Sequence, residues 1–524
     1  MLWDLAQVMV REAWTSGATE ERENLTLAGR ASRLISAVNV LGRGSIVMTL
    51  TVLAFTTIPL LRYVFRDFFT PDESMLLIYP ERILMGQWPN RDFYTAYGPG
   101  QFWLLAGAYR VFGMSILTER MVGWLLHLAI AFGVVRIVRF RGRFVAGMAG
   151  CGAGFILSFL GLPAFAWLSA LSLVVWSIGI MAGKTTKTTS VVAGLMVGLV
   201  LSIRPEVAPA VILCQLPLLW RSQLKFSWMQ GLALGVVPML VHLVVAGPAF
   251  MSNFLFIMQE SSAGIAKSPD VALSLRLAVF ALVACVAMLA WTAVRERTPL
   301  LVAITIMSLF LLPQAFQRAD VTHIAYVGCF IWPMWFVLVF SRFSFVRATV
   351  NHYGAGWLRG CLSLGAATLL GAALIITASS WKEVFWLNHL DRSVPRSDVT
   401  MIQKDHALIG AINDRVPSGG RIFVGAVDMS VLNYSPMYLY FLLPEYRPAG
   451  YYLELPGGFG DVGKALSLDI RKADVLVLSD IPEAQHLLYR DGYRGPADVN
   501  AIVGEDFYPA GRYGNNLLYI RRPS

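Results

Sequence analysis

A series of separate apolar blocks, each about as long as a membrane-crossing helix, constrains this chain more than any other feature. In lipid such a block can satisfy its backbone hydrogen bonds only as a helix, and about 20 apolar residues cross the ~30 Å hydrocarbon layer. The blocks account for an unusual composition, since 56% of the 524 residues are hydrophobic and the mean hydropathy is +0.59. The sequence therefore predicts a polytopic α-helical membrane protein.

We expect about eleven transmembrane helices, because that number places basic residues at every second boundary, as the positive-inside rule requires. The predicted spans are 46–64, 120–138, 144–162, 164–183, 189–203, 207–220, 228–246, 275–294, 298–313, 324–341 and 361–378. This assignment requires Gln101 to Phe112 to form an interfacial or re-entrant helix that does not cross. A large first outer loop, residues 67–119, and the segment after the last span then lie on the outer side.

Three regions follow from this pattern. Residues 1–44 are polar and mixed in charge, and we expect a cytosolic N-terminal tail. Residues 45–379 hold the spans and form the transmembrane domain. Residues 380–524 have a globular composition in which helical and strand patterns alternate, which predicts a soluble, extracytoplasmic α/β domain without a recognisable phosphate loop, nucleophile elbow or metal-ligand spacing.

Cysteine usage and charge exclude several classes of function. The five cysteines lie in or beside apolar blocks without paired spacing, which argues against a disulfide framework or a cysteine metal site. The formal charge of +10 is concentrated in the apolar part of the chain, where membrane topology explains it, so we expect no nucleic-acid partner. We also expect no cofactor.

The longest polar interruption between apolar blocks begins with a short helix after the first span. Thr70 is placed as its N-cap, Glu73 can complete a capping box, and Gly86 offers a left-handed stop. A helix of about a dozen residues is too short to cross and is expected to lie on the membrane surface, with Asp72 at its exposed end. Acids in a first helical turn also complement the helix dipole, which alone would explain Asp72 and Glu73.

The same loop continues with Asp92, Tyr94 and Tyr97 and closes in the turn Tyr97-Gly98-Pro99-Gly100. This clustering favours a functional interpretation of the loop. We therefore treat Asp72, Glu73 and these three residues as candidate site residues.

Two further charged clusters fall on the outer side. Arg204 and Glu206 flank a helix-breaking proline, and charges there are costly unless they are paired or face a wet cavity. A self-satisfied pair that caps two helix ends is the alternative interpretation, and we favour a functional one.

The second cluster, Arg318, Asp320 and His323, occupies a tight turn between two helices. We interpret it as functional, because a turn needs polar residues but not an acid, a base and an imidazole together. His127 and His242, each alone in an apolar span, are expected to be core residues.

These clusters would form a site between the membrane surface and the soluble domain. Such a site suits one substrate embedded in lipid and a second one that arrives from outside. A lipid-phosphate sugar fits, with its polyprenyl tail between helices and an arginine paired with its phosphate. Transfer from such a donor needs one carboxylate to accept the proton of the incoming hydroxyl, and cations for the departing phosphate. A single Asp with arginines meets that need better than the two carboxylates of glycoside hydrolysis.

The layout resembles the GT-C superfamily of integral-membrane glycosyltransferases, most closely the protein O-mannosyltransferase and aminoarabinose-transferase branch. The resemblance covers roughly residues 45–345 and is carried by Asp72-Glu73, Asp92-Phe93-Tyr94, Tyr97-Gly98-Pro99 and Arg204-Pro205-Glu206. It implies an enzyme of glycan biosynthesis in the cell (inner) membrane, with residues 45–379 as its catalytic domain. It further implies inverting transfer from a polyprenyl-phosphate sugar to a glycan, lipid or protein acceptor, with Asp72 as base and the other candidates as substrate-binding residues.

One departure from the family pattern bears on metal dependence. Many relatives carry a second acid in the loop after the third span, where this chain has Gly161-Leu162-Pro163. Either Glu206, Asp320 or Asp92 substitutes, or a metal-assisted variant is excluded, and we predict no required metal.

The main alternative function is a transporter or flippase for a lipid-linked glycan, although such proteins usually show internal repeats and none is visible here. A non-catalytic scaffold that presents the C-terminal domain is a third possibility. Family resemblance does not identify the sugar or the acceptor.

Overall fold

The computed structural model describes residues 43–64, 71–95, 97–220, 223–255, 273–317, 320–339, 400–429, 437–453, 462–480 and 498–523. These residues form a bundle of apolar helices, two short helices after the first span, and a small mixed-sheet domain. The first ten predicted spans each correspond to a helix, whereas the eleventh, at 361–378, lies outside the described residues.

The helices of the first part of the chain follow one another closely. They are α1 (Arg43–Thr57), α2 (Pro71–Leu84), α3 (Gly100–Phe112), α4 (Ile116–Val138), α5 (Arg143–Leu157), α6 (Ala166–Met181), α7 (Lys187–Ile203), α8 (Ala208–Leu219), α9 (Lys225–Ala246), α10 (Leu273–Glu296), α11 (Pro299–Gln317) and α12 (Val321–Leu338). A 3-10 turn, Ile58–Tyr63, extends α1.

Within the described ranges, six helical segments are long and apolar enough to cross a membrane, and four apolar helices, α5 to α8, are shorter. The protein is thus a helical membrane protein, and the total of about eleven spans stays a prediction. The helices α2 and α3 are the short elements expected in the first loop, and Gly86 and Gly113, both with a φ of 84°, follow their C-terminal ends.

Close backbone packing fixes α7 against α9. Gly194 and Gly198 on α7 face Gly231 and Gly235 on α9, and a methyl group at Gly198 would lie 2.7 Å from the Gly235 backbone. Small residues four apart let two helices approach closely where lipid supplies no hydrophobic drive between them. This packing holds α7, whose last residue, Ile203, directly precedes Arg204.

The C-terminal domain is a five-stranded sheet with helices. Its elements are α13 (Thr400–Asn413), β1 (Arg421–Ala426), α14 (Tyr438–Leu442), β2 (Arg447–Pro448), α15 (Val462–Lys472), β3 (Val475–Ser479), α16 (Asp498–Asp506), β4 (Phe507–Tyr513) and β5 (Asn516–Arg521). The strand order is β2-β1-β3-β5-β4, with β1 parallel to β2 and β3 and with β5 antiparallel to its neighbours.

The apolar strands β1 and β3 are central and buried, as their sequences predict. The sequence predicts strands at Arg421 to Val424, Ala473 to Leu478 and Leu517 to Arg521, but it does not predict β2, α16 or β4. The last of these carries Pro509 and Gly511, which are tolerated because β4 is an edge strand.

The C-terminal domain contacts the loop that follows α2. The Tyr94 N–H donates to the Tyr451 carbonyl at 2.8 Å, and the Tyr451 hydroxyl donates to the Asn90 carbonyl at 2.9 Å. Arg82 donates to the Gly450 carbonyl at 3.2 Å and lies over the Phe93 ring. The domain therefore sits directly on the first loop.

These contacts correct one sequence-based expectation. The polar side of α2, which carries Glu81 and Arg82, is expected to face water on a surface helix, but Arg82 is only 4% exposed. Burial lowers the pKa of its guanidinium to about 10, against the opposing influence of nearby tyrosines and acids. Arg82 was misplaced because a single helix pattern cannot show that a distant domain covers its polar side.

Candidate functional site

Asp72 lies in the first turn of α2 and is half-buried. Its carboxylate is within electrostatic range of the Tyr326 hydroxyl, which α12 carries from the far end of the helical region. The same hydroxyl interacts electrostatically with Tyr97, Arg204 and Asp320. Four predicted site residues thus lie near enough to interact electrostatically with one tyrosine, and we call Asp72, Tyr97, Arg204, Asp320 and Tyr326 the Tyr326 cluster.

Aromatic rings enclose the cation of this cluster. The Arg204 guanidinium lies 5.5 Å from the centroid of the Tyr97 ring and 5.1 Å from that of Trp167. Such contacts stabilise a guanidinium by cation–π attraction, and more strongly where water is excluded. The Trp167 ring in turn packs 5.8 Å from the ring of Tyr326.

Arg204 also forms the predicted ion pair with Glu206. The self-satisfied ion pair considered from the sequence is therefore present. Its arginine also belongs to the Tyr326 cluster. A guanidinium has five N–H donors in a planar fork. Arg204 can consequently keep Glu206 and still offer donors to an anion.

The turn from Tyr97 to Gly100 is pressed against the end of α7. A methyl group at Gly98 would overlap the Ser202 carbonyl, and one at Gly100 would come within 2.8 Å of the Ser202 hydroxyl and the Ile203 side chain. Only glycine permits this approach. The turn thereby places the Tyr97 ring beside Arg204.

Asp320 has a structural role in addition to its place in the cluster. It caps α12 by accepting the N–H of His323 at 2.8 Å, and its carboxylate also lies 2.8 Å from the His323 Nδ1. The His323 ring packs 6.1 Å from that of Tyr326. Arg318, the third member predicted for this turn, lies outside the described residues.

Glu73 occupies a different environment from its neighbour Asp72. It is fully buried, and its carboxylate receives the Arg120 Nε at 2.8 Å. Arg120 also donates to the carbonyls of Tyr63 and Val64, at 2.8 and 3.0 Å. Thr70, the other half of the predicted capping box, lies outside the described residues.

Asp92 and Tyr94 lie at the junction with the C-terminal domain. Asp92 accepts the Trp88 N–H at 2.6 Å and pairs with Arg91 at 2.7 Å. The Arg91 hydrogen bond is the main reason that the pKa of Asp92 lies below its usual range. Tyr94 is fully buried, with its ring 5.4 Å from that of Tyr452. The Asp92 contacts lie within the loop, whereas those of Tyr94 tie the loop to the domain.

Sequence reasoning missed Trp167, Tyr326, Glu119 and Arg120. The two aromatic residues carry no sequence signal, since they stand in apolar helices and look like core residues. The adjacent charges at 119 and 120 did carry one, because charged residues at the start of an apolar span are costly unless paired.

The two lone histidines are core residues, as expected. His127 is buried against the backbone carbonyls of Gly123 and Leu157, and His242 is buried beside Trp88 and Asn90. In the described part of the chain, no group of three or more His, Cys, Asp or Glu side chains is placed to hold a metal ion.

No family model and no curated protein sequence matches this chain. Solved structures do match. The crystal structure of ArnT from Cupriavidus metallidurans bound to undecaprenyl phosphate gives a TM-score of 0.55 at 15% identity, covering 92% of this chain and 98% of that chain. The crystal structure of the same protein in the apo state gives a TM-score of 0.52 at 16% identity, covering 92% of this chain and 100% of that chain.

The crystal structure of the Archaeoglobus fulgidus oligosaccharyltransferase in complex with Zn and sulfate gives a TM-score of 0.48 at 13% identity. The match covers 91% of this chain and 73% of that chain. The ArnT match extends over more than nine tenths of this chain. This chain therefore shares the fold of ArnT, the fold that the resemblance in its sequence implied.

Proposed function

We propose that this protein is a membrane glycosyltransferase that moves a sugar from a polyprenyl-phosphate donor to a hydroxyl group of a glycan, lipid or protein acceptor. The reaction takes place at the outer surface of the cell membrane and inverts the anomeric carbon. The observation that carries the proposal is the convergence of Asp72 and Arg204 on Tyr326, from three elements far apart in sequence.

The two charged groups have complementary tasks in this reaction. The Asp72 carboxylate accepts the proton of the acceptor hydroxyl as its oxygen attacks the anomeric carbon, and the bond from that carbon to the phosphate oxygen breaks. The departing polyprenyl phosphate is a stable anion, so it needs cations rather than an acid. Arg204, held between two rings, supplies such a cation.

The remaining cluster residues shape the site. Tyr97 and Trp167 exclude water around Arg204, which strengthens its attraction to a phosphate. Asp320, with His323, and Glu206 line the same region and bind the sugar or hold the arginine. Asp92 orders the first loop from within and Tyr94 joins it to the C-terminal domain, so we assign both to loop positioning. No metal is assigned to the site.

The nature of the lipid donor has separate support. The ArnT structure that shares this fold is bound to undecaprenyl phosphate, which supports a polyprenyl-phosphate donor here. The sugar and the acceptor are not specified by fold similarity. We place the C-terminal domain, residues 380–524, on the outer side as the roof of the site.

Asp72→Asn tests the proposal. We expect transfer to fall by at least ~100-fold, the usual scale for loss of a positioned proton acceptor, with a melting temperature close to that of the wild type. Asn is nearly isosteric and still tolerated near a helix N-terminus. The measurement is the initial rate of sugar release from a panel of polyprenyl-phosphate donors by the purified protein.

Glu81→Gln is the matched control, because it neutralises a half-buried acid on the same helix away from the cluster. It should retain most of the wild-type rate. If Asp72→Asn turns over as fast as this control, Asp72 is not the base, and the first-turn acid serves only the helix. The transporter alternative would then be favoured.

A further inference from the structure

Two buried acids and one buried arginine lie together at the start of α2 and α4, one of the acids being Glu73, the residue after the proposed base. Glu73 and Glu119 are both fully buried, and Arg120 is 4% exposed. The Arg120 guanidinium donates two hydrogen bonds to the Glu73 carboxylate, from Nε at 2.8 Å and from Nη2 at 3.2 Å. If both carboxyls were ionised, these three side chains would together carry one net negative charge away from water, which is unfavourable.

The hydrogen bonds of Glu119 point to the same conclusion. One of its oxygens accepts the Ala164 N–H at 2.5 Å. The other is buried and, within the described ranges, receives no donor, although the carboxyl of Glu73 lies within hydrogen-bonding reach of it. Two carboxylates cannot donate to each other, whereas a carboxylic acid donates one O–H and still accepts. A single proton therefore satisfies both the charge and the missing donor.

We propose that Glu119 is a positioning residue: it retains a proton, donates it to Glu73, and completes with Arg120 a neutral buried unit that holds Asp72 in the Tyr326 cluster. The proposal rests on the proposed function, because it assigns Asp72 as the group to be positioned.

The unit joins the elements that build the cluster. Glu73 follows Asp72 directly in the first turn of α2, and Arg120 ties it to the end of the first span. Glu119 ties the start of α4 to Ala164, whose carbonyl accepts an N–H of Gln101 at the start of α3. The chain then runs from Ala164 into α6 and Trp167. Among the other titratable groups, Tyr109 on α3 interacts electrostatically with Glu119 and Glu73 of the unit. Tyr109 also interacts with Glu81 on α2.

Infrared difference spectroscopy tests the proton without any assay of function. We compare the full-length wild type with Glu119→Gln in lipid nanodiscs. The wild type should show a carbonyl-stretching band of a protonated carboxyl group, at higher frequency than ionised carboxylate bands, and Glu119→Gln should lack it. The control Glu81→Gln should keep it. Loss of carboxylate bands alone in Glu119→Gln would overturn the proposal.

Kinetics test the positioning. Glu119→Ala should lower kcat at least about 10-fold with little change in donor KM, because a small displacement of the base is costly to the chemical step. Glu119→Gln, which mimics the neutral acid, should recover most of the lost kcat. Equal rates for folded Glu119→Ala and wild type would overturn the positioning role.

Two further measurements keep the test decisive. If Glu119→Ala does not fold, Glu119→Asp replaces it and should likewise lower kcat. The shorter side chain of Asp cannot reach both Glu73 and the Ala164 N–H. If the wild type transfers no sugar, the proposed function fails but the infrared result still decides the proton. The maleimide-labelling rate of Asp72→Cys should then change when Glu119→Ala is added, and an unchanged rate would overturn the positioning role.

Discussion

Arg204 shows how one side chain can serve structure and chemistry together. Its planar guanidinium contacts two ring faces and a carboxylate at once. Lysine has a compact, strongly hydrated charge and cannot reproduce this geometry. The identity of the cation therefore matters as much as its charge.

Arg204→Lys separates these two properties. It keeps the charge but loses the stacked, forked geometry, so we expect the donor KM to rise about 10-fold, consistent with the loss of a partly desolvated cation–π contact. The melting temperature should change by only a few degrees. Arg139→Lys replaces an exposed arginine just after the C-terminal end of α4, and this control should leave KM unchanged. Equal KM values for both variants would remove Arg204 from the donor site.

Among the elements, the first loop depends most on its neighbours. The short helix α2 and the turn before α3 hold their positions through contacts with α4, α7 and the C-terminal domain. An isolated helix of this length is marginal in water. The candidate site is therefore only as well ordered as these contacts.

Gly98→Ala tests the turn. The added methyl group would overlap the Ser202 carbonyl, so the turn must move away from the end of α7 and carry Tyr97 with it. We expect a destabilisation of about 1–3 kcal/mol, typical of overpacking, and a fall in transfer rate. Thermal unfolding and initial rates measure both effects.

Gly107→Ala provides the contrast on the neighbouring helix α3, where an added methyl group meets nothing within 4 Å. It should be neutral or stabilising by up to ~1 kcal/mol, since Ala favours a helix more than Gly does. If the two variants have equal stability, the close approach at Gly98 does not hold the turn.

On the scale of the whole molecule, the C-terminal domain and the first loop must lie on the same side of the membrane. The hydrogen bonds from Tyr94, Arg82 and Tyr451 join them directly. The alternation of basic residues along the sequence predicts that both lie on the outer side.

Cysteine labelling checks this topology in intact cells. Arg91→Cys in the first loop and Ser418→Cys in the domain should both react with a membrane-impermeant maleimide. Lys184→Cys, between α6 and α7, should react only after permeabilisation. Background labelling should be low, since four of the five native cysteines are buried. Labelling of the two outer positions from opposite sides would contradict the domain contact.

Local features of the sequence were sufficient for much of the fold. The positions of ten apolar helices, the short helices in the first loop, the left-handed glycine after α2 and the buried strands β1 and β3 all follow from block length, periodicity and turn chemistry. These properties depend on residues close together in the chain. The sequence did not predict the edge strand β4, because its Pro and Gly residues are unfavourable in strands. It forms through pairing with β5, which is a tertiary contact.

The sequence by itself determined that the chain builds a helical membrane bundle and which charged residues are too costly to leave without partners. Only the tertiary structure decided the partners. It paired Glu73 with Arg120 across 47 residues, brought Trp167 and Tyr326 to Arg204, and joined Tyr94 to the C-terminal domain. The reason is physical: burial makes each charge require a partner, but the packing of distant helices selects which partner is within reach.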